Sequence, residues 1–150
     1  MGYISNVVLL VAVQKPEQAD ELMAVYALDP NVQKYDLLKE WTRHDYGEDG
    51  IVFAYYNDHA KWYSEYEDVQ GMERLLSLAQ AFSDERGQDV GMLDENGEQP
   101  VITMFPYATM KIRIGEDIQD IEGENYSSDD TLAEMLWQRA SVRRSIELDL

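Results

Sequence analysis

The chain begins with an apolar, largely β-branched run, Ile4-Ser5-Asn6-Val7-Val8-Leu9-Leu10-Val11-Ala12-Val13, in which both alternating faces are apolar from Val7 onward. Such a strand belongs near the middle of a sheet covered on both sides. Pro16 suits a first helical position, and Ala19, Leu22, Met23 and Tyr26 recur at helical spacing up to Leu28. Asp29-Pro30 reads as a break, with Val32, Tyr35, Leu38 and Trp41 spaced for a second short helix. Gly47 to Gly50 reads as a turn and Ile51 to Tyr56 as a second strand. A longer helix follows, capped by Asp68, carrying Val69, Met72, Leu75, Leu76, Ala79 and Phe82 on one stripe and ending near Gly87.

Beyond that helix, Asn96-Gly97 within Asp94 to Glu98 predicts a hairpin turn between Val90 to Leu93 and the run from Val101. Residues 101–114 alternate, with Ile102, Met104, Ala108, Met110, Ile112 and Ile114 on one face, and Pro106 marks an edge or a bend. Residues 115–130 have little apolar content and read as an acidic loop. Ser127-Ser128-Asp129-Asp130 opens a C-terminal helix over 131–150, with Leu132, Met135, Leu136 and Ile146 apolar and Arg139, Arg143 and Arg144 on other faces. The order predicts one α+β domain over 1–150: a mostly antiparallel sheet with helices packed on one face, and a C-terminal helix. Residues 1–114 form its core.

Composition narrows the function. The chain has 150 residues, no cysteine, 30 acidic and 12 basic side chains, and a formal net charge of −18. Without cysteine there is no disulfide framework, thiolate metal site or thiol nucleophile. A balance of −18 opposes direct nucleic-acid binding, whose counterion-release term needs cationic side chains. With 45% hydrophobic residues and 11% aromatics the charge sits on a folded body rather than a disordered tail. Met1-Gly2-Tyr3 lacks a basic leader region, and the run from Ile4 is half a membrane span. A cytoplasmic protein with no membrane association is therefore expected.

Catalytic signatures are missing: no GxSxG, HExxH or phosphate-binding loop ending in Lys-Ser/Thr is present. His44 and His59 each adjoin an aspartate, Asp45 and Asp58, and read as surface loop residues without a third partner. Residues 116–125 are dense in oxygen ligands but lack EF-hand spacing. No catalytic residue, metal or cofactor is expected. A divalent-cation-dependent enzyme or module using His44, His59 and the acidic loop stands as an alternative.

Two features rise above this background. Trp41, Tyr46, Phe53, Tyr55, Tyr56, Trp62, Tyr63 and Tyr66 place 8 of the 16 aromatics within 26 residues. A strand and its loops do not easily bury all eight, and exposed Trp and Tyr anchor protein interfaces. The charge is also uneven, with a net −10 over residues 84–130 and zero over 131–150. Trp41, Tyr46, Trp62, Tyr63, Tyr66, Glu116, Asp117, Asp120, Glu122 and Glu124 are the expected partner-binding residues, with Trp62 and Tyr63 lying against the acidic loop. Duplex DNA carries one charge per about 1.7 Å, so 18 charges match on the order of 30 Å of duplex, within the span of such a domain. A DNA-mimic inhibitor of a nucleic-acid-binding or defence protein is thus a sharper form of this reading. An assembly factor that dimerises through residues 131–150 is another alternative.

Three stretches, Met1-Gly2-Tyr3-Ile4-Ser5-Asn6-Val7, Lys61-Trp62-Tyr63-Ser64-Glu65-Tyr66-Glu67-Asp68-Val69 and Ile112-Arg113-Ile114-Gly115-Glu116-Asp117-Ile118-Gln119-Asp120-Ile121-Glu122, resemble a group of small, acidic, mostly uncharacterised bacteriophage proteins. The segment from Thr131 lies outside the resemblance. The resemblance implies viral origin, expression in a bacterial cytoplasm and binding of a host protein, as in host takeover or anti-defence roles. It assigns no activity and no site residue.

Overall fold

Every residue from Val7 to Val13 is fully buried, and this double burial sets the architecture. The computed structural model describes residues 4–89, 106–116, 120–142, 146–148 and 150, with backbone alone over 83–89, 141–142 and 146–148. β1 (Ser5–Val13) is the central strand of a five-stranded sheet, flanked by β3 (Ile51–Ala60) and β4 (Tyr107–Ile114). β2 (Thr42–Asp45) and β5 (Ile121–Ser127) form the edges, and all neighbours pair antiparallel.

Side chains alternate across a strand, so β1 feeds two cores. Val7, Leu9, Val11 and Val13 join Ile51, Phe53 and Tyr55 beneath α1 (Pro16–Tyr26), α2 (Pro30–Tyr35) and α3 (Glu67–Asp89). Val8, Leu10 and Ala12 join Val52, Ala54, Ala108, Met110 and Ile112 beneath α4 (Asp130–Arg139). The fold is α+β, with three helices on one face and the C-terminal helix on the other.

Local chemistry sets the helix ends. Asp29 and Pro30 start α2 rather than simply breaking the chain: Asp29 Oδ1 accepts from the backbone N–H of Asn31 at 2.9 Å and Val32 at 3.3 Å, and Pro30 occupies the first turn. The helix expected to continue to Trp41 is split at Asp36, whose φ of 53° ends α2 before a 3₁₀ turn over Leu37–Glu40. In α3 the Tyr66 carbonyl accepts the first helical bond, from Gln70, so Asp68 lies inside the first turn instead of capping it. The helix also passes through Gly87 to Asp89. β3 extends past Tyr56 to Ala60, and Pro106 sits just before β4, where no ladder donor is needed. The hairpin expected around Asn96-Gly97 lies outside the described residues.

Two larger expectations are corrected. Residues 121–127 of the acidic loop are strand β5, closing the free edge of β4 with backbone hydrogen bonds. Charged residues suit such an edge, where neither face is sealed against solvent. The C-terminal helix stops at Arg139; Ala140 is extended at φ −137° and ψ 139°, and a hairpin of β6 (Ala140–Val142) and β7 (Ile146–Leu148) follows. The β-branched Val142 and Ile146, paired across this hairpin, favour strand over further helix. Leu132, Met135 and Leu136 are spent on the chain's own sheet, while Trp137 and Leu150 stay exposed.

Candidate functional site

The predicted site residues separate into three places. Trp41 belongs to the core: it is 8% exposed, its indole N–H donates to Tyr26 Oη at 3.1 Å, and its ring meets Tyr26 edge-on at 6.4 Å. It therefore offers no anchor to a partner. Tyr46 lies on the α4 side, its ring 4.2 Å beneath the Arg139 guanidinium and its hydroxyl donating to the Leu150 carbonyl at 3.2 Å. The remaining aromatics gather elsewhere.

Trp62, Tyr63 and Tyr66 lie in the segment between β3 and α3. From the core a relay of rings leads out to them, with Trp41 to Tyr55 at 6.2 Å and Tyr55 to Trp62 at 5.9 Å. Tyr63 and Tyr66 form a separate T-shaped pair at 5.1 Å. Across from Trp62 and Tyr63, the α3-facing side of β4 and β5 completes a groove of about 430 Å³ that also holds Glu73, Lys111, Arg113, Asp120 and Glu122. The aromatic and acidic segments thus meet on one surface.

A continuous polar chain holds that groove. Trp62 Nε1 donates to Glu73 Oε1 at 3.1 Å, and Lys111 Nζ bridges Glu73 Oε1 at 2.5 Å and Glu122 Oε1 at 3.0 Å. Arg113 then donates from Nε to Glu122 Oε2 at 3.1 Å and grips Asp120 with both terminal nitrogens, at 3.0 and 2.7 Å. Two parallel bonds from a planar guanidinium fix orientation as well as charge. Its Nη1 also reaches Ser5 Oγ on the central strand at 3.3 Å.

The electrostatics follow from these contacts. The hydrogen bond with Asp120 is the strongest influence on Arg113 and, with Glu122, raises its pKa against the opposing effect of burial. Burial pulls the Lys111 ammonium down, but Glu73 and Glu122 together outweigh it and its pKa ends above the ordinary lysine value. Burial pushes Glu122 up, and Lys111 with Arg113 more than reverse this, holding it below the usual carboxylate value.

No family model, curated protein or solved structure matches the chain. The functional reading therefore rests on the site itself.

Of the remaining predicted acidic residues, Glu116 and Glu124 lie among the described residues, and neither lines the groove. Glu116 Oε1 accepts from the backbone N–H of Ile4 at 2.7 Å, and Asp117 lies outside the described residues. Glu124 lines a smaller adjoining cleft of about 120 Å³ with Tyr126 and Gln80. Lys111, Arg113 and Glu73 escaped the sequence reading. The alternation of 107–114 was informative: with Met110 and Ile112 facing α4, Lys111 and Arg113 must face α3.

His44 and His59 are strand residues, in β2 and β3, rather than loop residues. Asp45 follows His44 along β2 and points to the opposite face, while Asp58 and His59 are both exposed where the pairing of β3 with β1 shifts register between Asn57 and Ala60. Asp45 instead accepts from Gly47 N–H at 2.9 Å, and His44 Nε2 meets Thr42 Oγ1 at 2.8 Å. Because His44 pairs with Val52, seven positions before His59, the two histidines sit roughly 23 Å apart along the strand direction. The topology does not bring them together, and β2 lies at the opposite sheet edge from β5. Among the described residues no three His or carboxylate side chains gather in a metal-binding group, and no helix is long and apolar enough to cross a membrane.

Proposed function

We propose that this is a non-enzymatic binding protein that engages a protein partner through the aromatic and acidic groove between α3 and the β4–β5 edge. The observation that carries the reading is the placement of Trp62 and Tyr63 beside Asp120 and Glu122 in one groove. Aromatic side chains with a large, rigid contact area are favoured interface anchors, and the hydrogen-bonded floor limits the ordering cost of binding. The net charge of −18 favours a basic partner surface.

The resemblance to acidic phage proteins makes a bacterial host protein the place to look, in a host cytoplasm. A DNA-binding or defence protein fits that description, because such proteins carry basic surfaces. Asp120, Glu122 and Glu73 are already paired with Lys111 and Arg113, so strict phosphate mimicry would fall to other carboxylates. Recognition of a basic protein segment by groove and charge together is the form supported here.

The test is capture from bacterial lysate on the immobilised full chain, at low and high salt, beside a Tyr63→Ala/Tyr66→Ala variant. The expected result is a defined set of proteins retained by the wild type, weakened by salt and lost in the variant. Retention of the same set by the variant, with its fold intact by circular dichroism, would refute the reading.

A further inference from the structure

On the other side of Trp62 lies a second, larger cleft of about 450 Å³. Its walls include the rings of Tyr35, Tyr55, Trp62 and Tyr66, with the carboxylates of Glu40 and Asp68 also lining it. Tyr55 is 9% exposed, the half-buried Trp62 ring lies 5.9 Å from it, and Tyr66 is 43% exposed. The Tyr35 ring is already faced by Lys34 Nζ at 5.3 Å. Trp62 and Tyr66 carry the accessible ring surface, Tyr66 also meeting Tyr63 at 5.1 Å, and Asp68 Oδ1 accepts from the Val69 N–H at 2.9 Å, which leaves Oδ2 and the exposed Glu40 carboxylate to meet an occupant. Tyr55 Oη accepts from Asn57 Nδ2 at 3.1 Å, which orients the phenol at the wall.

The geometry points to this cleft as the binding site for an arginine side chain of the protein partner. The inference deepens the proposed function and rests on it for the source of the arginine. An aromatic wall attracts a cation through the negative faces of its rings, and a desolvated site strengthens that attraction. Charge complementarity selects a cation over an apolar or acidic occupant, since Glu40 and Asp68 both line the cleft and the chain is strongly acidic.

Among cations, guanidinium fits best. Its plane stacks on a ring while its edge N–H groups reach carboxylates, and it is more weakly hydrated than an ammonium. A lysine ammonium is a compact, strongly hydrated point charge, and a quaternary ammonium has no N–H to give Glu40 or Asp68. Lys61 also lines the cleft, so its charge opposes any incoming cation. Removing that charge should therefore strengthen binding, which a merely structural role for the rings does not predict.

The test is a nitrogen-15 NMR titration of the full chain with acetyl-Gly-Arg-Gly-amide and its lysine counterpart, following the three indole N–H signals of Trp41, Trp62 and Trp137. The expected result is a Trp62 response to the arginine peptide, with an affinity about fivefold above that of the lysine peptide. Glu40→Gln should weaken it by a similar factor, and Lys61→Gln should tighten it. Glu40 and Lys61 are exposed, so both variants should keep the native spectrum. Equal response to the two peptides, shifts scattered over distant carboxylates, a silent Trp62, or a stronger Trp62 response to a single-stranded oligonucleotide would each overturn the inference. Those outcomes leave the lysate capture untouched, so failure of the arginine site and failure of the partner-binding reading are distinguishable.

Discussion

Replacing Arg113 with methionine tests whether the polar chain under the groove is structural support for it. The substitution keeps the aliphatic packing of the stem and removes the guanidinium. It deletes the two bonds to Asp120, the bond to Glu122 and the weaker contact with Ser5. A charged hydrogen bond contributes about 1.5–3 kcal/mol when its loss strands a buried partner. Here the stranded groups are not deeply buried: Asp120 and Glu122 side chains are 35% and 37% exposed, and Lys111 still holds Glu122. Water recovers much of the lost interaction, so a net cost of about 2 kcal/mol is expected. For a domain of this size that is a fall in melting temperature of about 4–8 °C. The pH dependence supplies a second readout. Glu122 has a folded pKa below its ordinary value, so its contribution is fully present above the unfolded carboxylate value of about 4.3 and is lost as pH falls through the lower folded value. The difference between wild type and Arg113→Met should accordingly be widest near neutrality and shrink progressively as pH falls below the ordinary carboxylate value of about 4.3. Urea unfolding at a series of pH values measures both. A neutral-pH difference under about 0.5 kcal/mol, the size of an ordinary surface change, or a difference that persists unchanged at pH 3, would refute the reasoning.

Gly50→Ala should destabilise by about 2–4 kcal/mol in thermal unfolding, because φ is +131° and a Cβ would lie 2.8 Å from the Val13 carbonyl oxygen and 3.0 Å from Leu132 Cδ2. Gly47→Ala, at φ +65° with open space around the Cβ, should cost about 1–2 kcal/mol; equal losses would count against the close approach at Gly50. Tyr26→Phe removes the hydroxyl that donates to the Gly71 carbonyl at 2.8 Å and accepts from Trp41, and should cost about 1–3 kcal/mol by denaturant unfolding. Ionisation of that hydroxyl is suppressed, its pKa pushed up to about 12 chiefly by burial, and burial also raises Tyr55, so an ultraviolet titration should show a late-ionising class of tyrosines that loses one member in Tyr26→Phe. Truncation after Ser128 removes Leu132, Met135 and Leu136 from one core, a loss of about 5–9 kcal/mol by apolar burial, comparable with the whole stability of a domain. Light scattering and circular dichroism should then report an unfolded or aggregated chain, and a folded monomer with native melting would show that α4 does not seal this face.

What the sequence disclosed tracks how strongly each element depends on apolar burial. β1 is legible because both its faces enter cores, and the stripe of α3 because one face does. β2 and β5 were missed because an edge strand is recruited by its neighbour's free backbone groups and needs no apolar alternation of its own. Thr42-Arg43-His44-Asp45 and Ile121-Glu122-Gly123-Glu124 look like loop until β3 and β4 stand beside them. Trp41 could not be sorted from Trp62 by composition, since the difference is made by Tyr26, a residue from another helix that receives the Trp41 indole bond. The counter-ions were hidden for a related reason: β4 was read for its apolar face, while Lys111 and Arg113 occupy the other.

That hidden pairing changes the meaning of the acidic stretch. From Ile114 to Gln138 the chain has eight carboxylates and no cation, which in one dimension looks like an unopposed negative surface. In three dimensions the neighbouring strand brings Lys111 and Arg113 under Glu122 and Asp120. Charges within a few ångströms largely cancel at a distance, so the far field of this edge is weaker than its composition, while the global excess of −18 remains. On the proposed reading the two scales do different jobs. The net charge attracts a basic partner over about a Debye length of 8–10 Å and is weakened by salt. The rings and the orienting hydrogen bonds act at contact, where salt screens far less, and they decide which side chain of that partner is held.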